Sequence, residues 1–111
     1  MKPIPKKLLI HTVTIKTPTG VNDRWGNEAY TEPEQIKYVR LEPTSKRIQE
    51  KDRQELQLTT LMFCDCKNSV PNTVSFTQGQ VISFNGKDLI VQTIEPLYDD
   101  KKLHHYELGL I

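Results

Sequence analysis

The residues with the most chemical potential in this chain are two cysteines one residue apart, Cys64-Asp65-Cys66, and two adjacent histidines, His104-His105. Two thiolates and two imidazoles are a common donor set for structural zinc. Their spacing argues against that chemistry. Zinc knuckles separate their cysteines by about two to four residues, and Cys-x-Cys on a rigid strand sets the sulfurs awkwardly for one tetrahedral ion. Neighbouring histidines on a strand point to opposite faces. The expectation is therefore no metal site, with Cys64 and Cys66 as ordinary thiols of a reducing cytosol. Catalysis finds no better footing. Asp65 raises the pKa of a flanking thiol instead of activating it. No nucleophile elbow, phosphate loop or acid pair is present, and Glu32-Pro33-Glu34 and Asp99-Asp100 read as polar loop residues. The chain reads as a non-enzyme that calls for no cofactor.

The elements that must carry any function belong to one domain spanning residues 1–111, a length sufficient for one core and not comfortably for two. Hydrophobic residues at 36% and charged residues at 26% exclude disorder throughout. Fifteen basic and fourteen acidic residues leave a formal charge of +1, short of the excess a duplex-DNA binder uses on phosphates. The charge is uneven. Residues 1–16 hold Lys2, Lys6, Lys7 and Lys16 with no acid, and residues 1–8 read as a basic arm, a solvated tail before a phosphate binder. No apolar run nears the roughly 18–20 residues of a membrane span, and Leu8 to Ile10 is too short for a secretory signal. Membrane association is not expected.

The dominant period is two. Leu9 to Lys16 alternates, with Leu9, His11, Val13 and Ile15 on one face. Gln35 to Glu42 reads as a second strand, Ile36, Tyr38 and Arg40 opposing Lys37, Val39 and Leu41 until Pro43 ends it. Leu56 to Cys66 reads as one long third strand. Gln80–Phe84 and Asp88–Glu95 flank Asn85-Gly86, a strong hairpin signal. A two-residue turn there pairs Ile82 with Leu89 and Phe84 with Lys87, and gathers Ile82, Phe84, Leu89 and Val91 on one face. A last strand runs from Leu103 to Ile111, with Tyr106, Leu108 and Leu110 alternating. The fold class is all-β: a small antiparallel β-barrel or sandwich of about six strands, with long loops and at most one short helix. The helical candidate is Ser45 to Glu55, where Ile48 alone is clearly apolar; a long charged loop fits as well.

Residues 17–34 and 44–55 are unusually long connections. Such segments, above about 12–15 residues, tend to be functional or disordered. The first holds the chain's only tryptophan, Trp25, inside the turn-prone stretch Val21 to Tyr30. One functional reading is an oligonucleotide-binding barrel that stacks single-stranded nucleic acid on Tyr38, Tyr106, Phe63 and Phe84. Against it, Phe84 and Tyr106 fall on core faces, and Arg40 and Lys37 build no cationic stripe.

The order of the motifs supports a different reading. An opening strand is followed by Asp23-Arg-Trp-Gly-Asn27 and Ile36-Lys-Tyr-Val-Arg-Leu-Glu-Pro43. Gln78-Gly-Gln-Val-Ile-Ser-Phe-Asn-Gly-Lys-Asp-Leu-Ile-Val-Gln-Thr-Ile-Glu95 and Tyr106-Glu-Leu-Gly-Leu-Ile111 close the chain. This series, over nearly the whole length, resembles the minor capsid proteins of tailed phages and prophages of Gram-positive bacteria. It is similar to their head-completion, or head–tail stopper, proteins. The resemblance implies a non-enzymatic structural protein of the virion, made in the host bacterial cytoplasm and monomeric when free. It implies self-association into a ring below the portal and adaptor, closure of the DNA channel, and a platform for tail proteins. Ring contacts of this kind are heterologous, so each subunit needs two different patches. Within that expectation, Lys46, Arg47, Lys51 and Arg53, mixed with acids, form the channel-facing loop, able to meet packaged DNA without clamping it. The alternative there is a solvated surface helix. Asp23, Arg24, Trp25 and Tyr30 form a docking loop to a neighbouring subunit or the adaptor, since aromatics and Arg anchor interfaces. The alternative there is that Trp25 folds back to cap its own barrel. Other head–tail connector roles share the same grammar.

Overall fold

In the computed structural model, which describes residues 2–49 and 55–111, six strands close into an antiparallel barrel. They are β1 (His11–Lys16), β4 (Glu34–Pro43), β7 (Thr60–Asp65), β8 (Val81–Phe84), β9 (Lys87–Tyr98) and β10 (Leu103–Leu110). Round the barrel the order is β1-β4-β7-β10-β9-β8, with β8 pairing back onto β1. Two small hairpins stand outside it: β2 (Pro18–Asn22) with β3 (Glu28–Tyr30), and β5 (Arg47–Gln49) with β6 (Glu55–Gln57). A single 3-10 turn, Lys6–Leu8, precedes β1. Among the described residues no helix is long and apolar enough to cross a membrane.

Alternation builds the core. Val13 and Ile15 of β1, Ile82 of β8, Val91 of β9, Met62 and Cys64 of β7, and Leu108 and Leu110 of β10 are buried together. Each fully buried aliphatic side chain stabilises the fold by roughly 1.5–3 kcal/mol. The Asn85-Gly86 turn has positive φ at both residues, 51° and 75°, as a type I′ turn requires. It sets the register expected from sequence, Ile82 opposite Leu89 and Phe84 opposite Lys87. At the other sheet turn, the Asp99 carboxylate accepts the N–H groups of Lys101 and Lys102 at 2.8 and 2.9 Å. Those two bonds hold its pKa below the ordinary aspartate value.

β4 departs from simple alternation. His11 pairs with Val39 and Thr12 with Lys37, so Tyr38 is an extra residue on that strand. It adopts φ +59°, the signature of a β-bulge. The bulge lets Ile36 and Val39, three apart, both reach full burial. Tyr38 and Arg40, placed by period two on the Ile36 face, lie half-exposed outside it. The cause is tertiary. Ser69 Oγ donates to the Tyr38 carbonyl, and Lys37 and Val70 exchange both main-chain hydrogen bonds at 2.7 and 3.0 Å.

The segment read as one long strand, 56–66, is two. Leu58 N–H donates to Lys46 O and Thr59 N–H to Leu110 O, so the chain leaves the β5–β6 hairpin and enters the barrel between them. Leu58, 1% exposed, fills the space above Gly109, where a Cβ would lie 2.5 Å from Leu58 Cδ1. Ser45 to Glu55 is therefore not a helix where it is described. Its ends form the two arms of the β5–β6 hairpin, and residues 50–54 lie outside the described residues. A segment with one apolar residue has no stripe to bury as a helix, whereas cross-strand pairing satisfies its main chain directly.

Candidate interaction site

Residues 17–34 are a built hairpin. Thr31 N–H donates to Thr17 O at 2.9 Å, and Thr17 N–H donates to Thr31 Oγ1 at 3.1 Å. Thr19 Oγ1 donates to Ala29 O at 3.0 Å. At the far end Asp23 organises the turn. Its Oδ1 accepts Trp25 N–H at 2.8 Å and Asn27 N–H at 2.9 Å. Asp23 N–H donates to Asn27 O and Gly26 N–H to Asp23 O. Gly26 at φ +81° supplies the left-handed residue the reversal needs.

This turn displays Trp25 at 78% exposure, the most exposed large apolar side chain among the described residues, with Val21 at 64% four residues before it. The indole does not cap the barrel. Arg24 is exposed on the same tip. Asp23 is spent on holding the loop. Tyr30 is apart from these three, at the hairpin base opposite Pro18, with Lys16 Nζ 4.5 Å from its ring centroid. Of the four residues assigned to a docking loop, three share the tip and one supports the stem.

The second hairpin carries charge. Lys46 Nζ lies 3.5 Å from Glu95 Oε1, and Arg47 Nη1 lies 3.8 Å from Glu55 Oε1. Both pairs are solvent-exposed and worth about 0–1 kcal/mol each. Lys51 and Arg53, assigned with them to a channel-facing loop, lie outside the described residues.

The four residues that suggested zinc are divided between core and surface. Cys64 is buried in the core, and burial pushes its thiol up to about 11. Burial, with the negative Asp65 adding to it, also raises Cys66. His104 and His105 bond to each other, Nδ1 to Nδ1 at 2.7 Å, and His104 Nε2 reaches Lys2 O at 2.6 Å. A carbonyl can only accept, so His104 Nε2 carries a proton, and in the neutral pair its Nδ1 accepts from His105 Nδ1–H. Burial and then His104 lower the His105 pKa.

The sequence reading missed the role of Asp65, which is 1% exposed. No cation pairs with it among the described residues. Its carboxylate accepts three main-chain N–H groups, from Ile4 and Lys67 at 3.0 Å and from Asn68 at 2.8 Å. Asn68 Nδ2 donates to Ile4 O at 2.7 Å. Arg40 Nη1 donates to Leu8 O at 3.0 Å, and Lys6 Nζ lies 4.8 Å from the Tyr38 ring centroid. Residues 2–8 are thus strapped to the barrel instead of trailing in solvent. The legible signal was Asp65 followed by Asn68-Ser69, a turn-forming pattern in which an Asp bonds to N–H groups just ahead of it.

The aromatics proposed to stack bases are dispersed. Phe84 packs T-shaped on His11 at 4.7 Å, and Tyr106 on Phe76 at 5.3 Å. Tyr38 lies beneath Lys6.

Compared with known protein families, residues 5–110 match the family described as "Minor capsid protein". No curated protein and no solved structure matches the chain.

Proposed function

The chain belongs to the minor capsid protein family, and on that premise we propose that it is a structural head–tail connector of a phage particle. In this reading it acts as a stopper or head-completion subunit that joins a ring below the portal and adaptor, closes the DNA channel and receives the tail. The observation that carries it is Trp25, displayed at 78% exposure on a turn fixed by Asp23. A large rigid aromatic beside an arginine buries area at low entropy cost and suits an interface anchor. Docking onto a neighbouring subunit or the adaptor would cover it. The β5–β6 hairpin suits the channel side. Its described cations are already paired with Glu95 and Glu55, which favours brushing past packaged DNA over gripping it.

The test combines images of portal–adaptor complexes with and without the chain and a Trp25→Ala variant. The wild type should add a ring of density below the adaptor. Trp25→Ala should lose that ring while its unfolding free energy changes by less than about 0.5 kcal/mol, as for other exposed positions. Binding to single-stranded DNA with a steep salt dependence, in place of ring docking, would transfer the assignment to a nucleic-acid-binding barrel.

A further inference from the structure

We propose that the barrel end crossed by residues 2–8 is a contact surface for duplex DNA, its lysines meeting phosphates without reading sequence. The strap lies across three strands. His104 Nε2 on β10 donates to Lys2 O at 2.6 Å, Asp65 at the end of β7 and Asn68 just after it hold Ile4, and Lys6 Nζ sits 4.8 Å from the Tyr38 ring on β4. Two turns share this end. Cys66 N–H donates to His104 O at 3.1 Å, which sets the turn after β7 beside His104, and Lys101-Lys102 lead into β10. Lys2, Lys6, Lys7, Lys67, Lys101 and Lys102 are thereby gathered at one end of the barrel, and all six are exposed.

The gathering polarises a chain whose formal charge is only +1. The acids within residues 2–8, 65–70 and 98–104 are Asp65, Asp99 and Asp100, and of these Asp100 alone is exposed. Setting six lysines and three acids apart from the fifteen basic and fourteen acidic residues leaves nine basic against eleven acidic elsewhere in the sequence. Ion pairs among the described residues are made by Arg40, Lys46 and Arg47 and by none of the six. Their main chain is also fixed. Leu9 N–H donates to Lys6 O at 3.0 Å, Lys67 N–H to Asp65, and the N–H groups of Lys101 and Lys102 to Asp99. A trailing basic arm loses its backbone freedom on binding, whereas this one has lost it on folding.

The kind of cation and its spacing point to the partner. Lysine meets phosphate as a point charge, while the arginine fork fixes geometry. A face of lysines therefore suits sequence-independent contact with DNA that moves. Lys2 and Lys6 are four residues apart, up to about 13 Å on an extended chain, close to the roughly 12 Å groove between the phosphate rows of a duplex. Single strands need a row of aromatics to stack on. Here Tyr38 lies beneath Lys6, which leaves Tyr98, at 66% exposure, alone. The inference rests on the connector reading for bringing DNA to the subunit. It sets the firmer contact at the opposite end of β7 from the β5–β6 hairpin, whose described cations are paired.

Binding of the full-length chain to a short fluorescent duplex, followed by anisotropy over a range of salt, provides the test. A Kd of about 10⁻⁵ M near 0.1 M salt is expected, with log K falling against log salt at a slope of about −4 to −5 for about five phosphate contacts. Lys6→Gln with Lys7→Gln, and separately Lys101→Gln with Lys102→Gln, should each flatten that slope by about 2 at an unchanged urea midpoint, and weaken binding alike for every sequence tried. Lys87→Gln, at the far end of β9, should leave the slope as it is. No binding at about 10⁻⁴ M chain, tighter binding to the single strand, or a slope unmoved by the lysine pairs would each overturn the proposal. Self-association that the lysine pairs abolish, without duplex binding, would assign the face to an acidic protein surface instead. Ring density on the portal–adaptor complex without duplex binding strikes this face alone. Duplex binding through these lysines without ring density keeps the face and strikes only the connector reading.

Discussion

Asp65 is a buried carboxylate solvated by the protein's own N–H groups, and removing it should be the most costly single change outside the apolar core. Hydrogen bonds to a charged acceptor are worth about 1.5–3 kcal/mol each. Asp65→Ala breaks three, to Ile4, Lys67 and Asn68. The full sum overstates the loss, because the N–H groups of Ile4 and Lys67 sit where the chain can yield to water. A cost of about 3–5 kcal/mol is expected, comparable to breaking a buried charged pair. On a domain of about 5–15 kcal/mol total stability that is a large share. It corresponds to a fall in Tm of roughly 12–40 °C at about 4–8 °C per kcal/mol. Asp65→Asn discriminates further. An amide can keep the two turn N–H groups on its oxygen, but it then turns its NH2 toward Ile4 N–H. It should cost about 1.5–3 kcal/mol and release residues 2–8 while the 65–69 turn persists. Urea unfolding gives the free energies, and amide exchange at Ile4, Lys67 and Asn68 shows which bonds are lost. A loss below about 1 kcal/mol for Asp65→Ala would mean that water already serves these groups, and the reasoning would fail.

Other expectations follow from single contacts. Gly109→Ala places a Cβ against Thr93 Oγ1 and 2.5 Å from Leu58 Cδ1; overpacking should cost about 1–3 kcal/mol in urea unfolding, and Leu58→Ala in the same chain should recover part of it. The folded pKa of His105 lies below its ordinary 6.5 through burial and His104, with Glu107 and Asp65 opposing, so the unfolded chain binds more protons as pH falls. Its contribution is fully present above about 6.5 and is lost as pH drops through the lower folded value; urea midpoints between pH 8 and pH 5 should fall less steeply in His105→Gln. Cys66 should react with iodoacetamide at pH 8 well before Cys64, whose thiol is pushed up to about 11; equal rates by mass spectrometry would contradict its burial. Asp23→Ala should leave barrel stability within about 0.5 kcal/mol but lower the fluorescence anisotropy of Trp25, because it frees the turn that holds the indole.

What the sequence made legible follows one rule: strands with one face in the core carry their register in their own residues. Leu9, Val13 and Ile15 are buried as the alternation requires, and Asn85-Gly86 determines its hairpin locally. The β4 reading failed because a bulge is not written in alternation. What places Tyr38 outside is Ser69 and Val70, some thirty residues away in sequence. The hairpins β2–β3 and β5–β6 were invisible for the opposite reason. Strands of three to five residues are too short to show an apolar period, and β2 and β3 bury almost nothing. Asp65 drew notice only as a neighbour of two thiols, because its partners include Ile4, 61 residues distant.

The closed barrel has one more consequence. Every one of its strands has a hydrogen-bonded neighbour on both sides, so along its doubly paired lengths the barrel offers no open sheet edge on which another copy could template a strand. Among the described residues, free edge remains on the outer half of β9, where residues 93–98 pair with β10 and not with β8, and on the two hairpins. There Pro18 opens β2, Arg47 opens β5, Glu28 opens β3 and Glu55 opens β6, residues that discourage edge-to-edge growth. Crowded copies of this chain are thereby steered away from aggregation and toward contacts made by side chains.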